Sequence, residues 1–208
     1  MAGPTPAFWQ ERFDTSTTPW DRGAPGPQLE RWIAEGAIAA GQRVLVPGCG
    51  SGWDVAALAE AGVAITGIDY VEGAVTRTRH RLADRSLEAE VVQADVLAWN
   101  PPLPVDAVYE QTCLCALHPD HWMAYAAQLA AWVRPDGKLF ALFMQRPDPS
   151  SADGAVTGPP YHCDIHAMRA LFPASRWHWP KPPYERIAHP SMAYELAVAL
   201  TRAAVEPA

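Results

Sequence analysis

Between residues 43 and 144 the sequence alternates short apolar strand-like runs with amphipathic helical stretches, and that order admits few folds. RVLVP (43–47) reads as a strand, and WDVAALAEAG reads as a helix that puts Val55, Leu58 and Ala59 on one face and stops at Gly62. VAITGID (63–69) is a second strand, 72–84 a helix with a basic face, EAEVVQAD (88–95) a third strand and PVDAVYEQ (104–111) a fourth. A helix over 120–133 and a fifth strand, GKLFALFM (137–144), complete the run. Strands separated by helices pair in parallel, with helices on both faces of the sheet. Ahead of the run, Leu29, Trp32, Ile33 and Ile38 form a helical stripe over 27–38. Beyond it the alternation stops. A Pro/Ser/Gly-rich loop (147–160), a short helix (164–172) and two β-rich stretches near 175–187 and 192–202 follow. Strands so close in sequence lack room for a crossover helix and are expected as antiparallel additions to the sheet edge. The expectation is an α/β fold of Rossmann-like type: a doubly wound, mostly parallel seven-stranded sheet with helices on both faces and an antiparallel C-terminal edge. One domain spans 1–208, with an aromatic N-terminal segment (1–26), a core (27–146) and a loop plus C-terminal strands (147–208).

In open parallel sheets ligands bind outside the carboxyl ends of the strands. Here those ends are the loop VPGCGSGWD, Asp69–Tyr70, Asp95–Val96 and Glu110–Gln111. The loop glycines are Gly48, Gly50 and Gly52, whereas the dinucleotide fingerprint needs its third glycine where Trp53 stands. No Lys-Ser/Thr pair follows, which excludes a P-loop. The chain thus approaches a ligand closely without provision for a pyrophosphate. An acid at the end of the second strand, Asp69, suits both hydroxyls of a ribose, and Asp95 suits an adenine amino group. A nucleoside that lacks the pyrophosphate, S-adenosylmethionine, meets all three conditions. Taken singly, Asp69 and Asp95 would read as helix N-caps; three matched strand ends in order argue for a site.

The formal net charge of −7 disfavours nucleic acid, whose phosphates need a basic face. No stretch has the length and apolarity of a membrane span, and MAGPTPAFWQERFD lacks the pattern of a secretory signal. Cys49, Cys113, Cys115 and Cys163 are too scattered for a disulfide framework, so a cytoplasmic protein with reduced thiols is expected. The sequence does not disclose an oligomeric state. HPDH (118–121) and HCDIH (162–166) supply histidines and a cysteine, but their spacing fits no closed zinc site and no metal is expected. Nine tryptophans are many for 208 residues, and the cluster FWQERFDTSTTPW (8–20) needs a core or a ligand to cover it.

Six segments now fall into place: TPWDRGAPGPQL (18–29), VLVPGCGSGWDV (44–55), TGIDYVEGA (66–74), CALHPD (115–120), VRPDGKL (133–139) and GPPY (158–161). In this order they resemble the class I S-adenosylmethionine-dependent methyltransferases of the thiopurine S-methyltransferase superfamily, and within it the plant-type halide and thiol methyltransferases. The resemblance implies that Trp9, Phe13 and Trp20 close over the cofactor, where aromatic faces stabilise a sulfonium cation by about 0.5–2 kcal/mol per contact. It implies Gly48, in the loop with Gly50, at the methionine portion, Asp69 at the ribose, Asp95 with Val96 at the adenine, and Gln111 lining the methyl-donor pocket. Tyr161 is implied beside the acceptor. Three positions depart from the family. Phe13 stands where relatives commonly have tryptophan, Trp122 where they usually carry arginine, and His118 where they have proline or an acid. With Trp122 and His118 beside Tyr161, the acceptor pocket reads as apolar and aromatic.

The implied reaction is methyl transfer to a small thiol or other soft nucleophile by in-line displacement. A thiol with a pKa near 8.5 is already partly thiolate, so no obligatory catalytic residue is assigned. Two other readings remain at this point. One is an idle cofactor-binding module, which Trp122 favours. The other is a nicotinamide oxidoreductase, which the glycine spacing disfavours.

Overall fold

The computed structural model of the protein describes residues 3–146, 157–190 and 193–204. Five parallel-paired strands carry the alternation: β1 (Arg43–Pro47), β2 (Ala64–Asp69), β3 (Glu90–Gln93), β4 (Val105–Gln111) and β5 (Val133–Gln145). Between and around them run α1 (Pro6–Asp14), α2 (Pro27–Ala34), α3 (Trp53–Glu60), α4 (Glu72–Asp84), the single turn α5 (Cys113–Ala116), a 3₁₀ turn (Pro119–His121), α6 (Trp122–Trp132) and α7 (Ile165–Leu171). The C-terminal strands are β6 (Trp177–His178), β7 (Glu185–Ala188) and β8 (Tyr194–Arg202).

The sheet has eight strands in the order β3-β2-β1-β4-β5-β8-β6, with β7 also paired to β8. The expected class is present: parallel core, helices on both faces, antiparallel edge. The strand count is eight rather than seven, because the β-rich stretch at 175–187 is two short strands. Pro180, Pro182 and Pro183 lie between them and cannot donate to a ladder. β6 pairs near the end of β8 (Trp177 with Arg202) and β7 near its start (Ala188 with Tyr194), so both lie along one edge of the same long strand. The helix expected over 120–133 begins as the 3₁₀ turn and becomes α-helical only at Trp122. Of the loop expected over 147–160, residues 147–156 lie outside the described residues.

Two-residue periodicity decides which side chain meets which helix. Val44, Val46, Ala107, Tyr109, Phe140 and Leu142 face a core completed by Leu29 and Trp32 of α2, Val55 and Leu58 of α3, and Val75 and Leu82 of α4. Their neighbours Leu45, Val108, Leu139, Ala141 and Phe143 face the other way, onto Tyr125, Leu129 and Trp132 of α6 and Met168 of α7. Each fully buried side chain of this size contributes roughly 1.5–3 kcal/mol. The helices are thereby fixed on both faces, and the strand ends stay open at one rim. α1 docks separately on α4. The Gly73 amide donates to the Gln10 side chain at 3.1 Å, and the Arg77 guanidinium donates to the Phe13 carbonyl and lies over the Phe13 ring.

Candidate functional site

The carboxyl ends of the strands open into a cavity of about 240 Å³ whose far wall is the N-terminal segment. Its floor begins with the glycine loop. Gly48, Gly50 and Gly52 have φ of 61°, 55° and 76°, the left-handed region that side chains rarely adopt. Space is closed as well: a Cβ on Gly52 would lie 2.7 Å from the Thr78 hydroxyl and 2.8 Å from its Cα, and one on Gly48 would lie 3.1 Å from the Cys113 Cβ. The three glycines therefore serve backbone shape and close approach, and the loop curls back to Asp69.

Asp69 is buried, and both its oxygens are engaged. Oδ2 accepts the Gly50 amide at 3.1 Å and Oδ1 the Val71 amide at 3.0 Å. Burial pushes its carboxyl up to about 6, against those amides, which favour the charged form. Each oxygen keeps a further lone pair, so the carboxylate retains acceptor capacity toward hydroxyls in the cavity. Asp95 lies next along the rim, its Oδ1 accepting the Leu97 amide at 2.9 Å, and Val96 beside it is buried. Both line the cavity.

Opposite stand Trp9, Phe13 and Trp20, all on the cavity wall. Trp9 and Trp20 meet edge to face at 5.3 Å, and Phe13 and Trp20 at 6.2 Å. Eight of the nine residues expected at the cofactor thus share this cavity: Trp9, Phe13, Trp20, Gly48, Gly50, Asp69, Asp95 and Val96. The ninth, Gln111, lines an adjoining hollow of about 70 Å³ that shares Trp20, Gly48, Gly50 and Thr112 with the larger one. There the Tyr109 hydroxyl donates to Gln111 Oε1 at 2.6 Å, and Gln111 Nε2 donates to Glu195 Oε2 at 2.8 Å. The Arg22 guanidinium donates to the same Glu195 oxygen at 3.1 Å. Burial pushes Glu195 up to about 7, while Gln111 and Arg22 hold it down.

The three residues expected at the acceptor stand differently. Tyr161 is buried, its amide donating to the Cys115 carbonyl at 2.7 Å, and its ring meets His118 edge to face at 5.4 Å. Neither ring is on the cavity wall, although Pro159 and Pro160, next to Tyr161, are. Trp122 turns away. Its indole N–H donates to the carbonyls of Leu114 at 2.9 Å and Leu117 at 3.0 Å, which ties the end of α5 to α6. Trp122 thus does not reach the cavity, and its character does not set the polarity there.

Sequence reasoning missed several cavity residues. Thr112 and Cys113 directly follow the end of β4, where the strand-end rule applied one or two residues further finds them; Cys115 and Leu117 lie further on, in α5 and at its C-terminal end, and Met144 is the penultimate residue of β5. Thr112 is left-handed (φ 64°) although not glycine, a conformation that costs on the order of 1 kcal/mol and collects at functional sites. His189, in the turn between β7 and β8, gave no signal. Burial drives the thiols of Cys113 and Cys115 well above the ordinary cysteine value, and Glu110 beneath them up to about 8. The cavity thiols are therefore un-ionised. Among the described residues no group of three or more His, Cys, Asp or Glu is placed to hold a metal ion, and no helix is long and apolar enough to cross a membrane.

These features fit a nucleoside with a sulfonium: close backbone at the glycines, a buried carboxylate within reach of hydroxyls, and aromatic faces opposite. Comparison with known proteins agrees. Residues 4–199 match the family model described as thiopurine S-methyltransferase. The chain is 31% identical over 166 residues to thiocyanate methyltransferase 1 of Arabidopsis thaliana, covering 78% of this chain and 70% of that one. It is 28% identical over 159 residues to probable thiol methyltransferase 2 of the same plant, covering 76% and 67%. Among solved structures, the Burkholderia thailandensis 1,6-didemethyltoxoflavin-N1-methyltransferase with bound S-adenosylhomocysteine superposes with a TM-score of 0.74 at 19% identity, covering 96% of this chain and 87% of that one. At that identity the likeness speaks to the fold alone.

Proposed function

Because the chain belongs to the thiopurine S-methyltransferase family, we propose that this S-adenosylmethionine-dependent S-methyltransferase acts on a small, uncharged thiol, and that the residues along one rim of its sheet divide the work. The order along that rim is the observation that carries the assignment. Asp95 beyond β3 and Asp69 at the end of β2 hold the adenine and ribose, and Gly48 and Gly50 beyond β1 pass beneath the methionine portion. Cys115 and Leu117 beyond β4, Met144 near the end of β5, Pro159 and Pro160 beyond it, and His189 beyond β7 make the acceptor end. Gln111, with Arg22 and Asp54 in the adjoining hollow, faces the amino-acid end.

The cofactor, when bound, supplies a methyl group on a positively charged sulfur. Displacement at that carbon releases a neutral leaving group, so the protein's tasks are alignment and exclusion of water, which in favourable intramolecular systems are worth effective molarities of about 10⁵–10⁸ M. Trp9, Phe13 and Trp20 perform the exclusion by covering the cavity. Cys113 and Cys115 line the same cavity but stay protonated, which keeps them from competing with the acceptor. The acceptor-end side chains named above carry no fixed charge; Arg12 of α1 lines the same cavity, and Arg146 donates to the Pro160 carbonyl at 3.1 Å. A hard anion or a carboxylated thiol would lose hydration against these thiol, thioether, leucine and proline surfaces. All four cysteines are free and buried, which supports work in the cytoplasm. We further propose that 1–208 acts as one domain, 1–26 serving as the lid.

The test is a product screen by mass spectrometry with isotopically labelled methyl donor. Small neutral thiols, carboxylated thiols, iodide, thiocyanate and chloride are offered in parallel. Methyl thioethers from the neutral thiols should dominate. Chloride turnover exceeding every neutral thiol, or bound S-adenosylhomocysteine without turnover of any acceptor, would defeat the assignment.

A further inference from the structure

At the acceptor end of the cavity the side chains are thiol, thioether, proline and leucine, with one imidazole among them, that of His189. Strand register explains its position. Gln145 at the end of β5 pairs with Tyr194 of β8, and Tyr194 pairs with Ala188 of β7. His189 is the next residue, so it emerges just past the level of the strand ends, and it lines the same cavity as Met144. The turn is closed by the His189 amide, which donates to the Ala193 carbonyl at 3.0 Å. On the other side, the Arg22 guanidinium donates to the Ala188 carbonyl at 2.8 Å. The residue is 7% exposed, yet it lines the cavity.

Building on the functional reading above, we propose that His189 is the residue that binds the acceptor's sulfur, its imidazole hydrogen-bonding the nucleophile so that the sulfur faces the methyl-donor end. Burial, with Arg22 nearby, pushes the imidazole down to about 4, so it is neutral at physiological pH. A neutral imidazole has one donor and one acceptor nitrogen. It accepts from a thiol S–H, or donates to the sulfur once that proton has gone to water. It offers no net charge to a bare anion. The same low basicity disqualifies it as a proton store for the reaction, so its part is orientation rather than base catalysis. The other surfaces of the acceptor end supply shape and softness but little direction, because a thioether and buried thiols are weak hydrogen-bonding groups.

The full-length enzyme and its His189→Leu and His189→Asn variants would be compared with phenylmethanethiol as acceptor. Three quantities are read: KM and kcat at saturating methyl donor, calorimetric affinity of phenylmethanethiol for the enzyme saturated with S-adenosylhomocysteine, and affinity for S-adenosylhomocysteine alone. His189→Leu should raise KM and weaken thiol binding about tenfold, the scale of one hydrogen bond. Affinity for S-adenosylhomocysteine should stay within twofold, and His189→Asn should recover part of the thiol affinity. Thiol binding within twofold of wild type in His189→Leu overturns the proposal. So does an equal fall in S-adenosylhomocysteine affinity, which would make the side chain a support of the cavity as a whole. A wild-type enzyme that binds S-adenosylhomocysteine but neither binds nor methylates the thiol overturns the functional reading itself.

Discussion

Lowering the pH from 7 to 5 should weaken S-adenosylhomocysteine binding through Asp69. Its carboxyl is held at about 6 because burial opposes the charge more than the Gly50 and Val71 amides support it. Ribose hydroxyls donate, so the site needs the carboxylate. At pH 5 about one molecule in ten retains it, and the association constant should fall about tenfold, close to 1.4 kcal/mol. For the empty protein the sign is opposite. The folded carboxyl binds its proton more tightly than the unfolded one, whose ordinary pKa is 3.8, so stability falls as pH rises between about 4 and 6, and the penalty is complete above 6. Calorimetric titration from pH 8 to pH 5 reads the affinity directly. Asp54 is pushed up to about 6 and Glu195 to about 7, so the parallel titration of Asp69→Asn is essential. That variant should bind roughly 10- to 100-fold more weakly at pH 8, the cost of charge-assisted bonds, and should lose the step assigned to Asp69. Affinity that stays flat down to pH 5 in the wild type, or an identical step in Asp69→Asn, would refute the reasoning.

Removing residues 1–20 should leave a chain that unfolds cooperatively but has lost most S-adenosylhomocysteine affinity, since Trp9, Phe13 and Trp20 leave the cavity wall; circular dichroism and calorimetry check the two halves. Gly52→Ala meets both a φ of 76° and Thr78 at 2.7 Å; a loss of about 2–3 kcal/mol should lower Tm by roughly 5–10 °C in differential scanning calorimetry. Trp122→Phe deletes the N–H shared by the Leu114 and Leu117 carbonyls, and thermal unfolding should show a loss of about 1–3 kcal/mol. A changed acceptor ranking without that loss would place Trp122 at the acceptor after all.

The parts of the site that could be read from the sequence are those where local pattern and position coincide. Asp69 and Asp95 were legible because each closes a strand-like run, and in a parallel sheet those ends share one rim. The glycine loop was legible because its left-handed backbone demands the residue type. Trp122 shows where such reading stops. Its place in the chain was clear, but its rotamer is set by the carbonyls of Leu114 on α5 and Leu117 just beyond it, a tertiary fact. β6 and β7 were merged for a related reason: what makes them strands is the long β8 beside them, not their own composition. His189 reaches the cavity through a register that passes from β5 to β8 to β7, and no local periodicity encodes it.

Arg22 joins the two ends of the site. It belongs to the segment just after Trp20, and its guanidinium reaches both Glu195 on β8 and the carbonyl of Ala188, the residue before His189. The Glu195 side chain is fully buried, and removing the partner of a buried charge typically costs 3–5 kcal/mol. The sheet edge therefore holds the N-terminal segment down by its own electrostatics, independent of any ligand. This is why a chain cut after residue 20 should still fold: the cut spares Arg22 and the contact that keeps Glu195 compensated. The same cation anchors the aromatic cover at its C-terminal end and fixes the turn that presents the imidazole. Closing the cover over the methyl donor and setting the acceptor end in place are, on this geometry, a single docking event.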